Sequence, residues 1–161
     1  LVLEWKVPIS LMPTAISSDK IDLSSEKKTE KLAEKFSKKI KPGSIVFLYG
    51  EIGVGKTTFI RYLINGFQKA NKQKITEITS PTFNLLNQYQ INHININHYD
   101  LFRLKSEDEV KDLGLFEDSL NSITLIEWPE IIKNKPKNLI EFTFKYENDY
   151  KKRSINIKGL D

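Results

Sequence analysis

Two stretches of the chain repeat apolar side chains at helical spacing. The first follows Ser24-Ser25-Glu26, which offers an N-cap and an acidic first turn, and it is stopped by Lys41-Pro42-Gly43. One face of it consists of Thr29, Leu32, Ala33, Phe36 and Ile40. The second runs from Thr57 to about Ala70, with apolar positions at Phe59, Ile60, Leu63, Ile64 and Phe67. The pattern predicts two amphipathic helices, with lysine and glutamate side chains on the solvent side of the first.

The strand-like segments are shorter. Two of them are largely apolar runs, over residues 44–49 and 122–129. A first hairpin is predicted from residues 84–90 and 93–99 around a polar turn at Ile91-Asn92, and a terminal hairpin from the alternating residues 139–146 and 154–158. A further short strand is possible over residues 75–79. A short helix with an acidic N-terminus is predicted from Ser106, ending at Leu113-Gly114-Leu115-Phe116. Because hairpins accompany a strand–loop–helix unit, we predict an α/β fold with a mixed parallel and antiparallel sheet flanked by helices.

A glycine-rich loop joins the first apolar run to the second helix. Its sequence, Gly50-Glu51-Ile52-Gly53-Val54-Gly55-Lys56-Thr57-Thr58, fits the phosphate-binding pattern G-x-x-x-x-G-K-[ST]. The glycines let backbone amides wrap around anionic oxygens at a helix N-terminus, where the helix dipole also favours negative charge. Lys56 would reach the β- and γ-phosphates, and Thr57 would place its hydroxyl on Mg²⁺. The alternative, a glycine turn with an incidental lysine, does not account for the strand and helix on either side.

Two acidic residues at predicted strand ends could complete a phosphate site. Glu127 closes the apolar run 123–126, where a Walker B acid normally lies, and Asp100 ends the second strand of the first hairpin. A phosphate loop needs such an acid to hold Mg²⁺ or to order a water molecule. In a parallel sheet the nucleotide lies at the carboxyl ends of the strands, which is where Glu127 falls. Each acid could instead be an N-cap or a surface carboxylate.

Other side chains near these positions have two interpretations each. Thr82 is either a hydroxyl that senses a γ-phosphate through Mg²⁺ or an ordinary turn threonine. Trp128 could stack near a nucleotide, although an aromatic residue beside a strand end is more often part of the core. Arg103 could neutralise phosphate charge or pair with a carboxylate. His93 and His98 do not make a metal-ligand set, and we interpret both as structural.

Composition narrows the function classes. A chain of 161 residues without cysteine fits one domain and excludes disulfides, thiolate metal sites and a cysteine nucleophile. No apolar run approaches the roughly 20 residues of a membrane span, so we expect a soluble, cytoplasmic protein without a membrane partner. With 25 basic and 21 acidic residues the net charge is +4. A nucleic-acid patch remains an alternative to a general lysine-rich bias.

Two sequence features that the chain lacks limit the choice of nucleotide base and of reaction. Guanine-selective switches carry N-K-x-D, and the nearest stretch, Asn134-Lys135-Pro136-Lys137, has no aspartate, so adenine is favoured. Small-molecule kinases of this size usually bring several arginines on a lid. The arginines here are three and scattered, at Arg61, Arg103 and Arg153, which argues against such a kinase.

Four motifs in order carry a family resemblance. They are the loop from Leu48 to Phe59, Ser80-Pro81-Thr82-Phe83, the stretch from His98 to Leu104, and Ile126-Glu127-Trp128-Pro129. Over roughly residues 21–158 the chain resembles the TsaE (YjeE) family, the small bacterial ATPases of tRNA threonylcarbamoyladenosine biosynthesis. The phosphate loop is widely shared among nucleotide-binding proteins, whereas the three later motifs together are specific to this family.

The resemblance implies a mixed-sheet P-loop NTPase-like fold that hydrolyses ATP slowly with Mg²⁺. It implies Thr57 and Glu127 as Mg²⁺ ligands, and Asp100, Thr82 and Glu127 as the residues that support hydrolysis. The implied nucleotide-binding residues are Gly53, Val54, Gly55, Lys56, Thr57, Thr58 and, near the first helix, Glu26. The family acts with the TsaD and TsaB proteins, which transfer threonylcarbamoyl to adenosine 37 of tRNAs reading codons that start with A. ATP turnover would reset that complex, and tRNA would be reached through it.

Some positions depart from the family pattern. Val54 stands where alanine is common, which is tolerable because only backbone amides are needed there. The family's Gly-Arg near the C-terminal turn corresponds to Tyr150-Lys151, which weakens any carry-over of a nucleotide contact to this turn. Residues 1–20 are predicted to be an N-terminal tail, and residues 21–161 a single P-loop ATPase domain. A nucleotide-gated binding module with incidental hydrolysis and a small-molecule P-loop kinase remain the alternative functions.

Overall fold

The computed structural model describes residues 20–160, whose strands form one seven-stranded sheet. The strands are β1 (Ile21–Asp22), β2 (Ile45–Tyr49), β3 (Leu86–Ile91), β4 (Ile94–Asp100), β5 (Ser122–Glu127), β6 (Leu139–Glu147) and β7 (Lys152–Lys158). The α-helices are α1 (Glu26–Ser37), α2 (Lys56–Ala70) and α3 (Glu107–Asp112), and a short 3-10 helix covers Pro129–Ile131.

The strand order is β1-β7-β6-β2-β5-β4-β3. The four central strands are parallel, with β2 between β6 and β5 and with β4 beside β5. The outer pairs, β1 with β7, β6 with β7 and β3 with β4, are antiparallel. This arrangement confirms the predicted mixed sheet. It also places the end of β2, and hence the glycine-rich loop, in the middle of the sheet's carboxyl edge.

The sheet buries both of its faces against helices. In β2, Val46 and Leu48 belong to the core shared with α1 and α2, whereas Ile45 and Phe47 belong to the core on the α3 side. This division follows from the period of two along a strand, since successive side chains point to opposite faces. The apolar faces predicted for the first two helices lie in the first core, where Phe59 packs edge-on against Phe142 of β6.

The prediction of a strand over residues 75–79 is wrong. The segment is irregular, and its backbone finds partners outside any ladder, because the amide of Thr76 donates to the Gln68 side chain at 3.2 Å. The Gln68 amide nitrogen in turn donates to the Thr76 hydroxyl at 2.8 Å. Ile78 is buried and anchors the segment on the first core. Its apolar residues therefore mark a packed connection rather than a strand.

The structure moves two other predicted boundaries and confirms the end of β5. The turn between β3 and β4 falls at Asn92 and His93, one residue later than predicted, with Asn92 at a left-handed φ of 55° that asparagine tolerates. β5 ends at Glu127, the acid on which the predicted strand closes, and Trp128 follows it with a left-handed φ of 57°. The first helix ends at Ser37, before the predicted stop at Lys41-Pro42-Gly43.

The predicted tail, residues 1–20, lies outside the described residues except for Lys20, which pairs with Glu147 at 3.0 Å. The division into this tail and a single domain over residues 21–161 stays a prediction. Within residues 20–160, the structure has no helix that is both long and apolar enough to cross a membrane.

Candidate functional site

The glycine-rich loop leads from β2 directly into the N-terminus of α2. Gly55 is the N-cap of α2 with φ 114°, a conformation that favours glycine, and it offers no side chain to cap the helix. The first-turn amides of α2 are therefore not occupied by a capping side chain. A side chain at Gly50 would meet the Val54 side chain at 2.8 Å and the Phe144 carbonyl at 3.0 Å. The loop is thus tightly seated on the sheet while its helix end is open to an anion.

Two carboxylates come together beside this loop. Asp100 and Glu127 end the neighbouring parallel strands β4 and β5 and are direct partners in register, so both side chains emerge on the same face. Both are buried, with 6% and 2% of their surface exposed. The Thr57 hydroxyl of α2 donates to Glu127, 3.0 Å from Oε1 and 3.3 Å from Oε2. The structure therefore joins the phosphate-loop threonine to the candidate Walker B acid.

His98 is a site residue that sequence reasoning missed. It was interpreted as structural, but its Nε2 lies 2.7 Å from Oε2 of Glu127 and its ring is fully buried. One signal was available in the sequence: His98 lies two residues before Asp100 in the same strand, so the two side chains share a face. His93, in contrast, is exposed in the hairpin turn.

Lys56 is folded back against the protein. Its ammonium group donates to the carbonyl of Gly50 and lies 3.5 Å from the centre of the Trp128 ring. Burial lowers the pKa of Lys56, while the negative charges of Glu127, Glu130 and Asp100 act in the opposite direction. Trp128 is brought over the loop because its left-handed backbone turns the chain at the end of β5.

The loop that carries Thr82 is tied to Asp100 by hydroxyl groups. The Ser80 hydroxyl lies 2.9 Å from the Thr82 hydroxyl and donates to Oδ2 of Asp100 at 3.2 Å. The other oxygen of Asp100 accepts the amide of Phe102 at 3.0 Å. Thr82 therefore stands in the site and is connected to a carboxylate there. Arg103 lies over the ring of Phe83, 4.2 Å from its centre.

These groups surround a cavity of about 330 Å³ at the carboxyl edge of the sheet. Its lining comprises Ile52, Gly53, Gly55, Lys56, Thr57, Thr58, Thr82, Asp100, Phe102, Glu127, Trp128 and Arg153. Most of the sequence-predicted site residues are therefore brought together around one space. Arg153 was not among them. It lies near the start of β7, and a nitrogen of its guanidinium group lies 3.7 Å from where a Cβ on Gly55 would be.

The two remaining predicted residues, Val54 and Glu26, lie around a smaller cavity of about 100 Å³ on the other side of Gly55 and Thr58. Val54 is 2% exposed, and its side chain points into the first core. The carboxylate of Glu26 already accepts hydrogen bonds from Arg61 and the Tyr62 hydroxyl, both at 2.6 Å. Hydrogen bonding to Tyr62 and the charge of Arg61 lower the pKa of Glu26.

The donor set around Thr57 and Glu127 fits Mg²⁺. A hydroxyl and a carboxylate in contact supply hard oxygen ligands, and Asp100 is the register partner of Glu127. Residues 20–160 contain no group of three or more acidic, histidine or cysteine side chains arranged to hold a metal by themselves. Mg²⁺ usually keeps several waters and is bound by one or two protein ligands together with substrate phosphates, so a sparse set is what such a site requires.

Comparisons with known proteins point to one family. The family model for "Threonylcarbamoyl adenosine biosynthesis protein TsaE" matches residues 23–155. A tRNA threonylcarbamoyladenosine biosynthesis protein TsaE from Rickettsia bellii is 48% identical over 136 residues, covering 84% of this chain and 91% of that protein. The protein of the same name from Aquifex aeolicus is 33% identical over 118 residues, or 73% of this chain and 80% of that one.

A solved structure shares the fold. Bacillus subtilis YdiB superposes with a TM-score of 0.68 at 24% identity, covering 86% of this chain and 82% of that one. This likeness and the mixed sheet around the glycine-rich loop establish a P-loop NTPase-like fold. Because the family model spans most of the chain, and relatives match along most of their own length, this chain belongs to the TsaE family, named for threonylcarbamoyl adenosine biosynthesis.

Proposed function

We propose that this chain is a Mg²⁺-dependent ATP-binding and ATP-hydrolysing subunit required for the threonylcarbamoyl modification of adenosine 37 in tRNAs that read codons starting with A. It acts with TsaD-like and TsaB-like proteins and reaches tRNA through that complex. The observation that carries the proposal is the contact between Thr57 and Glu127, 70 residues apart, at the mouth of a phosphate loop.

The phosphate loop binds the triphosphate. The amides of Gly53, Val54, Gly55 and Thr58 surround the anion, and the dipole of α2 favours its charge. The ammonium group of Lys56 contacts the Gly50 carbonyl and the Trp128 ring. When phosphates enter, its ammonium group exchanges these weaker partners for phosphate oxygens. Since burial lowers the Lys56 pKa, an incoming anion also relieves an unfavourable buried charge.

The acidic side of the cavity holds the metal and directs hydrolysis. Thr57 and Glu127 would ligate Mg²⁺, which when bound neutralises developing charge on the phosphates. Asp100 and Thr82 support hydrolysis by orienting a water, because the Ser80 hydroxyl already connects their side chains. The rings of Phe102 and Trp128 lie beside these groups, with their centres 4.9 Å apart and their planes tilted by 49°, and they limit the access of bulk water.

We place the rest of the nucleotide toward the smaller cavity beyond Gly55 and Thr58. Glu26 contributes there through the network it forms with Arg61 and Tyr62, and Arg153 lines both cavities. An arginine at this position supplies a charged hydrogen-bond donor to a phosphate or to the ribose side of the ligand. The absence of an N-K-x-D sequence favours adenine over guanine.

A nucleotide-gated binding module is the second candidate. It is favoured by Phe83, which follows Thr82 directly and leaves 80% of its surface exposed. Occupancy of the phosphate site would act on the Thr82 loop and so on the presentation of Phe83 to a partner protein. In this version, hydrolysis is incidental to the modification.

Removal of Lys56 or Glu127 tests the ATPase. Lys56→Ala and Glu127→Ala are each expected to lower Mg²⁺-dependent ATP hydrolysis by about 100-fold or more. The first removes the positive charge assigned to the phosphates, and the second removes a proposed ligand of Mg²⁺. Matched controls are Lys69→Ala and Glu77→Ala, which remove the same charges from exposed positions outside the cavity. Phosphate release from ATP measures both. Normal turnover in the Lys56 and Glu127 variants would rule the proposal out.

Two further measurements test the proposal, and the second of them separates the two candidates. A pull-down with and without ATP should recover TsaD-like and TsaB-like proteins. Asp100→Asn should bind ATP normally but hydrolyse it slowly, because the residue is assigned to the water and not to the phosphates. If this variant supports full modification over many turnovers, the gated module is the correct function and the ATPase proposal is not.

A further inference from the structure

His98 places a single hydrogen-bonding group against Glu127. The ring is fully buried in β4, and its Nε2 lies 2.7 Å from Oε2 of Glu127. Its other nitrogen, Nδ1, has no hydrogen-bond partner among residues 20–160. Because a carboxylate oxygen only accepts, Nε2 is the nitrogen that donates. The polar function of this histidine is therefore directed at one carboxylate.

Stability alone gives little reason for a histidine at this position. Its strand neighbour Ile96 and its register partner Leu125 are fully buried and apolar. A buried imidazole that makes one hydrogen bond and leaves one nitrogen unpaired gains little over an apolar side chain of similar shape. What distinguishes histidine from such a side chain here is the contact with Glu127.

We propose that His98 is a positioning residue that fixes the Glu127 carboxylate in the orientation that ligates Mg²⁺. The inference rests on the proposed function, since it assigns the metal to Thr57 and Glu127. His98 holds Oε2, while Oε1 lies 3.0 Å from the Thr57 hydroxyl, so the carboxylate is restrained from two sides. Without His98, only the Thr57 hydroxyl restrains rotation of the carboxylate about its last side-chain bond. Hydrogen-bonding partners of ligating carboxylates affect metal affinity in this way.

The proposal is tested by three substitutions of His98 that differ in the position of their hydrogen-bond donor. The side-chain amide nitrogen of glutamine lies at about the position of Nε2, and that of asparagine lies at about the position of Nδ1. Leucine has no hydrogen-bond donor in its side chain. The affinity of a non-hydrolysable ATP analogue is measured by calorimetry with Mg²⁺ and with EDTA, together with the Mg²⁺ concentration that gives half-maximal ATP hydrolysis. Thermal unfolding of each variant reports whether it folds.

In EDTA, His98→Leu and His98→Asn are expected to bind the analogue with an affinity within about twofold of wild type. The factor by which Mg²⁺ increases that affinity should be about 10- to 100-fold smaller in both variants than in wild type. His98→Gln should retain most of that gain. Unchanged Mg²⁺ dependence in His98→Leu would overturn the positioning role. Equal loss in His98→Gln and His98→Leu would also overturn it, since ring shape and not the donor would then matter. If wild type itself binds the analogue equally with Mg²⁺ and with EDTA, the proposed function fails and this inference fails with it.

Discussion

The side chain of Val54 anchors the phosphate loop on the hydrophobic core, whereas the backbone amides of the loop are assigned to the ligand. Truncation of this side chain therefore tests the anchoring role independently of ligand binding. The side chain is 2% exposed and belongs to the core shared with α1 and α2. Val54→Ala removes two buried methyl-sized groups, which at about 0.8 kcal/mol each is a loss of about 1.6 kcal/mol of transfer free energy. The cavity left between the loop and the sheet increases the loss to about 2–3 kcal/mol.

The assay compares thermal unfolding of two variants from the same loop. Val54→Ala should lower the melting temperature by about 5–10 °C. Ile52→Ala removes a larger side chain, but Ile52 is 70% exposed, so its free energy of unfolding should change by no more than about 0.5 kcal/mol. Both folded variants should still bind a Mg²⁺–ATP analogue with nearly wild-type affinity, because the loop contacts phosphate through backbone amides.

Two results would refute this reasoning. If Val54→Ala destabilises the protein no more than Ile52→Ala does, the side chain is not the loop's anchor. If Val54→Ala remains folded but no longer binds the analogue, the amides depend on the side chain for their geometry. In that case the substitution of valine for alanine relative to the family pattern is not a neutral one.

The remaining predictions concern packing and pH. Gly66→Ala should lower the free energy of unfolding, measured by urea denaturation, by about 1–2 kcal/mol, because its Cβ would lie 2.8 Å from Oγ of Ser37 where α1 packs on α2. The double variant Gly66→Ala/Ser37→Gly should recover part of this loss. A Gly66→Ala variant more stable than wild type would contradict the predicted clash. Glu26 has a pKa below its ordinary 4.5, so its stabilising contacts with Tyr62 and Arg61 are fully present above pH 4.5 and are lost as the pH falls through the folded-state pKa. The difference in melting temperature between wild type and Glu26→Gln should therefore narrow on acidification, and a pH-independent difference would show that the charge of Glu26 is not involved.

The local elements could be predicted because their signals lie within short windows of sequence. The apolar period that includes Phe36 and Phe59 identified α1 and α2, and the loop pattern ending in Lys56-Thr57 identified the phosphate-binding turn between strand and helix. Where the backbone adopts an unusual conformation, the sequence was less informative. Trp128 follows β5 with a left-handed backbone conformation that its residue type does not favour.

The candidate site shows the same division. Its acids were predictable because Asp100 and Glu127 each close a strand, but their pairing depends on the parallel register of β4 and β5. Arg153 was missed because the family's Gly-Arg was matched to Tyr150-Lys151, whereas the arginine that reaches Gly55 lies two residues further on, in β7.

By itself, the sequence determined the kinds of elements, the glycine-rich loop and the order of the four motifs, because periodicity, turn chemistry and residue type act over a few positions. Only the tertiary structure decided that His98 holds Glu127, that Lys56 rests on Trp128, and that residues 75–79 pack without pairing. These outcomes depend on strand order and on the register between distant segments. Such long-range geometry is selected by burial of the whole core, so no short stretch of sequence encodes it.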